Sequence, residues 1–146
     1  MSTIENIPDR KKIPIEKALF FLTDHIKTIK NVADWAQGMG YSRSYFSRSI
    51  HLIYSESAIE LFHKAKLASI CAAWQKKPHA KAYEIAKDTG YKNGKFMGQF
   101  LWHNFGVNTY HIRERCAEGF NTGYLLRLSK TEIRNIFLLI VVNKSK

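Results

Sequence analysis

Hydrophobic residues recur at three- and four-residue steps along most of the chain, the spacing that lines one face of an α-helix. One such stripe covers residues 15–29, and a longer one starts at a capping box, Ser57 to Glu60. The longer stripe can continue to about Lys76, because Pro78 prevents further helix, and would span roughly 30 Å. The pattern predicts an all-α fold with a long linker helix. The residues expected to form the buried side of that helix are Ile59, Phe62, Leu67, Ile70, Cys71 and Trp74.

Residues 31–53, between these two stripes, have the pattern of two helices joined by a tight turn. Gly40 can adopt the left-handed backbone conformation that ends a helix, since it has no side chain. The apolar residues expected to hold the two helices together are Val32, Trp35, Ala36, Met39, Phe46 and Ile50.

The second of these helices carries small, basic and hydrogen-bonding residues at spacings that place them on one face, away from Phe46 and Ile50. These residues are Arg43, Ser44, Ser47, Arg48 and His51. Such a face on a short, supported helix suits the major groove of DNA. Two ordinary surface helices are the alternative, because Ala-x-x-x-Gly alone is a weak pattern.

The same pattern returns 50 residues later, with Ala-x-x-x-Gly-Tyr at 36–41 and again at 86–91. With one residue inserted in the second turn, Tyr45 corresponds to Phe96. Two helix-turn-helix units joined by a helix of roughly 30 Å could place two reading helices about one DNA turn, roughly 34 Å, apart. The repeat therefore favours DNA binding, with chance repetition of a common helical hairpin as the alternative.

Charge and composition point to the same kind of partner. The 23 Lys and Arg residues exceed the 12 Asp and Glu residues and leave a net charge of +11, which favours nucleic acid first and a membrane surface second. Two cysteines, Cys71 and Cys116, form neither a metal-ligand spacing nor a disulfide framework. The N-terminus lacks the apolar run of a signal peptide, and residues 136–142 are too few to cross a bilayer. We therefore expect a soluble, cytoplasmic protein without a membrane partner.

Residues 15–113 resemble the DNA-binding domain of the AraC/XylS family of bacterial transcription regulators. The resemblance is carried by VADWAQGMGYSRSYFSRSI (32–50), EIAKDTGYKNGKFMGQFLWHNFG (84–106) and GVNTYHIR (106–113). It implies about seven helices in two helix-turn-helix subdomains bridged by the linker helix. It also implies base-contacting positions for Ser44, Ser47 and Arg48 in the first reading helix. The corresponding positions of the second reading helix are Gly94, Lys95, Phe96 and Gln99.

The chain departs from the family pattern at several positions. Gln99 stands where a basic residue is common, Thr109 where proline is usual, and Lys66 where the linker helix usually has arginine. Gly94 and Gly98 would each cost a helix interior about 1 kcal/mol relative to alanine. We therefore expect the second reading helix to be less sequence-specific than the first, or to contact phosphates only. The chain otherwise resembles the short family members that have no ligand-binding domain.

The patterns divide the chain into five segments. They are a flexible basic arm (1–13), the first helix-turn-helix subdomain (14–55), the linker helix (56–77), the second subdomain (78–116) and a C-terminal extension (117–146). In the extension, residues 117–128 have the composition of a linker, and Ser129 to Glu132 form a second capping box. The apolar segment that follows could be a helix or, given its β-branched residues, a strand. We expect it to pack on its own domain, with a dimer contact as the alternative.

The remaining polar residues do not fit a phosphate-binding loop, a metal nuclease or a histidine metal site. The segment 90–96 has three residues between its glycines where a phosphate-binding loop requires four. Glu84 and Asp88, close to lysines, fit a solvated helix face better than a metal nuclease. The six histidines lack the His-x-x-x-His spacing of a metal site. We expect no catalytic residue, metal or cofactor.

Together these observations predict a nucleoid-associated transcription regulator, more an activator than a repressor, that binds double-stranded DNA as a monomer. RNA polymerase is a further candidate partner. The alternative is a basic architectural or nucleic-acid-associated module with little sequence specificity.

Overall fold

A computed structural model describes the backbone of residues 12–145 and the side chains of residues 12–138. Within this range the protein is all-helical and has no strand, which confirms the predicted all-α fold. The α-helices are α1 (Ala18–Asp24), α2 (Val32–Met39), α3 (Arg43–Tyr54), α4 (Ala58–Lys76), α5 (Ala82–Asp88), α6 (Gly94–Phe105), α7 (Thr109–Ala117) and α8 (Lys130–Ser145). Two 3-10 helices, Ile15–Lys17 and Thr122–Arg127, complete the described secondary structure. No helix in the described range is both long and apolar enough to span a membrane.

The chain forms two compact units, Met1–Phe62 and His63–Lys146. The division falls inside α4, so the first turn of the predicted linker helix belongs to the first unit and the remainder to the second. The C-terminal extension is part of the second unit.

The first unit is built around Trp35, whose side chain is fully buried. Its ring packs edge-on against Phe46 at a centroid distance of 4.9 Å, and its indole N–H donates to the carbonyl oxygen of Ala18 at 3.1 Å. All six apolar residues predicted to hold α2 and α3 together are buried, so this prediction is confirmed. The predicted support helix is shorter than its stripe, because α1 ends at Asp24. Ile29 is buried, but it lies after the turn that follows α1.

Part of the predicted N-terminal arm is held by the first unit. The Ile13 N–H donates to the carbonyl of Met39 at 3.0 Å, and the Tyr41 hydroxyl donates to the carbonyl of Ile13 at 2.7 Å. Ile13, which was predicted to belong to the flexible arm, is therefore held by hydrogen bonds to the first unit. Residues 1–11 of the arm lie outside the described range.

The second unit includes the C-terminal extension in its core. Ile133 and Phe137 of α8 are fully buried, as is Leu125 of the preceding 3-10 helix. The second predicted capping box is confirmed, since the Ser129 hydroxyl accepts from the Glu132 N–H and the Glu132 carboxylate accepts from the Ser129 N–H. The apolar segment is therefore a helix, and its residues Ile133 and Phe137 pack within their own chain.

The buried side of α4 differs from the prediction at its first turn. Ile59 is 45% exposed, whereas Ala58, Leu61 and Phe62 are buried. Successive residues of a helix lie about 100° apart, which puts Ile59 well away from the face that Ala58 shares with Leu61 and Phe62. The prediction for Ile59 was wrong, and the other predicted core positions of α4 are buried.

Candidate nucleic-acid interface

The two helix pairs, α2–α3 and α5–α6, turn in the same way. Gly40 and Gly90 have φ values of 93° and 89°, in the left-handed region that favours glycine. One residue further on, the Tyr41 N–H donates to the carbonyl of Ala36 at 3.0 Å, and the Tyr91 N–H donates to that of Ala86 at 2.8 Å. The repeat in the sequence is therefore a repeat in backbone structure.

The second helices of the two pairs start in the same way. Both α3 and α6 contain 12 residues, and α6 starts 51 residues after α3. The Ser42 hydroxyl accepts from the N–H of Tyr45 at 3.3 Å, and the side-chain carbonyl oxygen of Asn93 accepts from the N–H of Phe96 at 3.0 Å. Each helix thus has its first turn capped by a short polar side chain.

The ends and inner faces of α3 and α6 also correspond. Ser55 and Gly106 follow the helices with φ values of 57° and 67°, so both helices end in a left-handed residue. The fully buried residues pointing inward are Phe46 and Ile50 in α3 and Met97 and Leu101 in α6. Because ends and inner faces match, the outer faces can be compared position by position with a constant offset of 51 residues.

The outer face of α3 contains the five residues singled out from the sequence. Arg43, Ser44, Arg48 and His51 are exposed, and Ser47 is half-buried. Beside them the Tyr45 ring, 50% exposed, stacks on Tyr41 at a centroid distance of 5.5 Å. The face combines two guanidinium groups with small hydroxyl side chains that allow close approach of a partner.

The outer face of α6 has a different chemistry. Lys95, Phe96 and Gln99 are exposed, whereas Gly94 and Gly98 are half-buried. A Cβ atom at Gly98 would meet nothing within 4 Å, so the surface there is open and flat.

Sequence reasoning missed one residue of this face, Trp102, which is 64% exposed. It lies one turn beyond Gln99 and corresponds to His51 in α3 under the offset of 51 residues. Applying the internal repeat to His51 would have identified it.

The electrostatic character of both outer faces is positive. Neither α3 nor α6 contains an acidic residue. In the part of the chain that the structure describes, Arg43, Arg48 and Lys95 form no ion pair, and the ion pair that Lys77 makes with Asp88, at 2.8 Å, lies outside both helices. The cationic groups are therefore available to an anionic partner.

Lys66 of α4 contacts the turn between α5 and α6. Lys66 is buried, and its ammonium group donates to the carbonyl of Thr89 at 3.0 Å, at the C-terminal end of α5. The same group lies 4.7 Å from the centre of the Tyr91 ring. A cation at a helix C-terminus interacts favourably with the carbonyl groups exposed there. Burial raises the pKa of Tyr91 and keeps it neutral.

Helix α7, which starts at Thr109, begins with a reciprocal cap. The Asn108 side chain accepts from the His111 N–H at 3.1 Å, and Nδ1 of His111 accepts from the Asn108 N–H at 3.0 Å. Burial lowers the pKa of His111, and the neutral ring is the form that can accept this hydrogen bond.

The cysteines do not form a reactive site. Cys71 and Cys116 are free and buried in the core of the second unit. Burial and the neighbouring Cys116 raise the pKa of the Cys71 thiol well above its usual range, which suppresses the nucleophilic thiolate. Among the described residues there is no group of three or more His, Cys, Asp or Glu side chains that could hold a metal ion.

No protein-family model, curated protein or solved structure matches this chain. The functional proposal accordingly depends on the chain's own residues and on the geometry of the two helix pairs.

Proposed function

We propose that this chain is a sequence-specific, double-stranded DNA-binding regulator of transcription, more an activator than a repressor. The observation that carries the proposal is the duplicated helix pair. Two turns with matching backbone hydrogen bonds support two 12-residue helices with matching caps, and each helix presents an outer face without acidic residues. A short helix supported by another helix is the arrangement that reads the major groove in helix-turn-helix proteins. The sequence resemblance to the AraC/XylS family points in the same direction.

In this proposal Arg48 is the principal base reader of α3. A guanidinium group has donors only, and its planar fork matches the two acceptors, O6 and N7, on the major-groove edge of guanine. The small side chains of Ser44 and Ser47 allow the helix backbone to approach the groove. Arg43, His51 and Lys95 would contact phosphates, which fix the position of the protein on the duplex without reading sequence.

The same proposal assigns the partners and the location. Binding as a monomer is supported by the burial of Ile133 and Phe137 in their own unit, since these apolar side chains are then unavailable to a second chain. RNA polymerase would be the further partner of an activator. The site of action would be the nucleoid in the cytoplasm.

Selection of binding sites from a random duplex pool tests this function directly. A sequence-specific regulator enriches a defined motif, whereas a protein that binds only phosphates enriches none. The net charge of +11 and the two glycines of α6 favour the competing function, a basic architectural protein that coats DNA. Failure to enrich any motif would overturn the proposed function, and binding of random duplex with equal affinity for all sequences would then support the alternative.

A further inference from the structure

Because α3 and α6 correspond position by position, the residues that differ on their outer faces can be compared as differences in DNA recognition. Because the caps and inner faces match, a difference on the outer face changes recognition chemistry and leaves the scaffold unchanged. The differing pairs are Arg43 and Gly94, Ser44 and Lys95, Tyr45 and Phe96, Ser47 and Gly98, Arg48 and Gln99, and His51 and Trp102. The α6 face has lost both guanidinium groups and has gained an ammonium group and an amide flanked by two aromatic rings.

We infer that the two helices read different base pairs, with α3 reading guanine and α6 reading A·T pairs. This inference rests on the proposed function. In α6, Gln99 binds the adenine edge, and the rings of Phe96 and Trp102 cover thymine methyl groups. The protein is then a reader of an asymmetric site, with one guanine-containing box and one A·T-containing box.

The amide of Gln99 selects adenine by its hydrogen-bonding pattern. It carries one acceptor and one donor group, which complement the N6 amino donor and the N7 acceptor of adenine. Guanine presents two acceptors at the equivalent positions, so one end of the amide would face an acceptor with its own oxygen. Arg48, at the same position in α3, has donors only and shows the opposite preference.

The aromatic rings on either side of Gln99 match the remaining feature of an A·T pair. Phe96 is 47% exposed and Trp102 is 64% exposed, and each is three residues from Gln99, so the three side chains are neighbours on one helix face. The thymine methyl group is the apolar group that distinguishes this base pair in the major groove. The open surface at Gly98 allows the face to approach base edges without a side chain in the way.

A reciprocal exchange of the two central residues tests the inference. Sites are selected from a random duplex pool with the wild type, with Gln99→Arg and with Arg48→Gln, after circular dichroism has shown that each is folded. Gln99→Arg should convert the A·T box to guanine and leave the other box unchanged. Arg48→Gln should convert the guanine box to adenine. The two variants control for each other, since both exchanged positions are exposed.

Base analogues in the selected site test the individual contacts. Replacing the adenine by 7-deazaadenine should weaken wild-type binding about five- to 150-fold, the range expected for a bidentate base contact, and should have no effect on Gln99→Ala. Replacing thymidine by deoxyuridine removes the methyl group and should weaken binding about fourfold in the wild type but not in the double variant Phe96→Ala, Trp102→Ala.

The outcomes separate this inference from the function on which it rests. A selected site with a guanine box and no A·T preference elsewhere would overturn the inference and leave the regulator intact. A second box that prefers guanine with wild-type Gln99, or wild-type binding unchanged by both analogues, would overturn it in the same way. Absence of any selected site would overturn the proposed function itself.

Discussion

The ammonium group of Lys64, in α4, donates hydrogen bonds to the carbonyl of Leu128 at 2.8 Å and to that of Leu126 at 3.2 Å. Lys64 is buried, so these bonds satisfy a charge inside the protein. They attach the C-terminal extension to α4 within the second unit. The extension is thus part of the domain core, which makes its contribution to stability measurable.

Phe137→Ala should lower the free energy of unfolding by about 3–5 kcal/mol, because it removes a fully buried ring from the core of the second unit. Phe20→Ala is the matched control, since Phe20 is 75% exposed and its loss should change stability by less than about 0.5 kcal/mol. Urea unfolding followed by circular dichroism measures both. An equal, small effect of the two substitutions would show that α8 does not contribute to the core.

Two glycine substitutions should have opposite effects on stability. Gly98→Ala should stabilise the protein by about 0.5–1 kcal/mol, because Gly98 lies inside α6 and an added Cβ meets nothing within 4 Å. Gly40→Ala should destabilise it by roughly 1–2 kcal/mol, since its φ of 93° disfavours a side chain and the new Cβ would lie 3.2 Å from Cγ of Lys12. Thermal unfolding of both variants provides the comparison. Effects of the same sign would contradict the backbone conformations described for these two positions.

Protonation of His111 should lower the free energy of unfolding as the pH falls. Its pKa is lowered by burial in the folded state, so the unfolded chain binds the proton first. The contribution is therefore fully present above the ordinary histidine pKa of about 6.5 and is lost as the pH falls below it. His111→Gln keeps an acceptor for the Asn108 N–H but cannot be protonated. Urea midpoints measured between pH 7.5 and roughly 5.5 should fall less steeply for this variant, and equal slopes would exclude His111 as the titrating group.

Arg48→Ala should reduce affinity for the selected site by about 1–3 kcal/mol and relax the preference at one base position. Arg113→Ala removes the same charge from an exposed position in α7 and serves as the control. Its effect should be the same on all sequences, because a charge outside the two reading helices contributes to affinity without reading bases. Fluorescence anisotropy with the selected duplex and single-base variants distinguishes the two. An unchanged base preference in Arg48→Ala would contradict the role of α3 in reading bases.

Local rules predicted much of this structure from the sequence. Three features depend on neighbours within a few residues and could therefore be predicted from the sequence pattern. They are the apolar residues between α2 and α3, the left-handed backbone of Gly40 and the capping box at Ser129. Ile59 was misplaced because a helix with apolar residues on several sides does not reveal which face is buried. The end of α1 at Asp24 was not predicted, because the apolar stripe continues beyond it to Ile29.

The candidate site was predicted less completely than the scaffold. The outer face of α3 followed from helical spacing, and the structure places all five predicted residues on that helix. Trp102 was missed because an isolated aromatic residue in a helix is more often buried, although the repeat places it at the position of His51, and its exposure shows that it lies on the outer face of α6. Buried Lys64 and Lys66 were also beyond sequence reasoning, since their carbonyl partners are 62 and 23 residues away.

The ratio of affinities for the selected duplex and for a scrambled duplex of the same composition, measured at two salt concentrations, tests the central claim most directly. As the salt concentration rises, the contribution of phosphate contacts to affinity falls equally for both duplexes, whereas that of base contacts is largely independent of salt. A sequence-specific reader should therefore lose absolute affinity at the higher salt concentration and keep the ratio, which should be on the order of a thousandfold or more. A ratio near one at both salt concentrations would contradict the account and identify the chain as a basic protein that coats DNA.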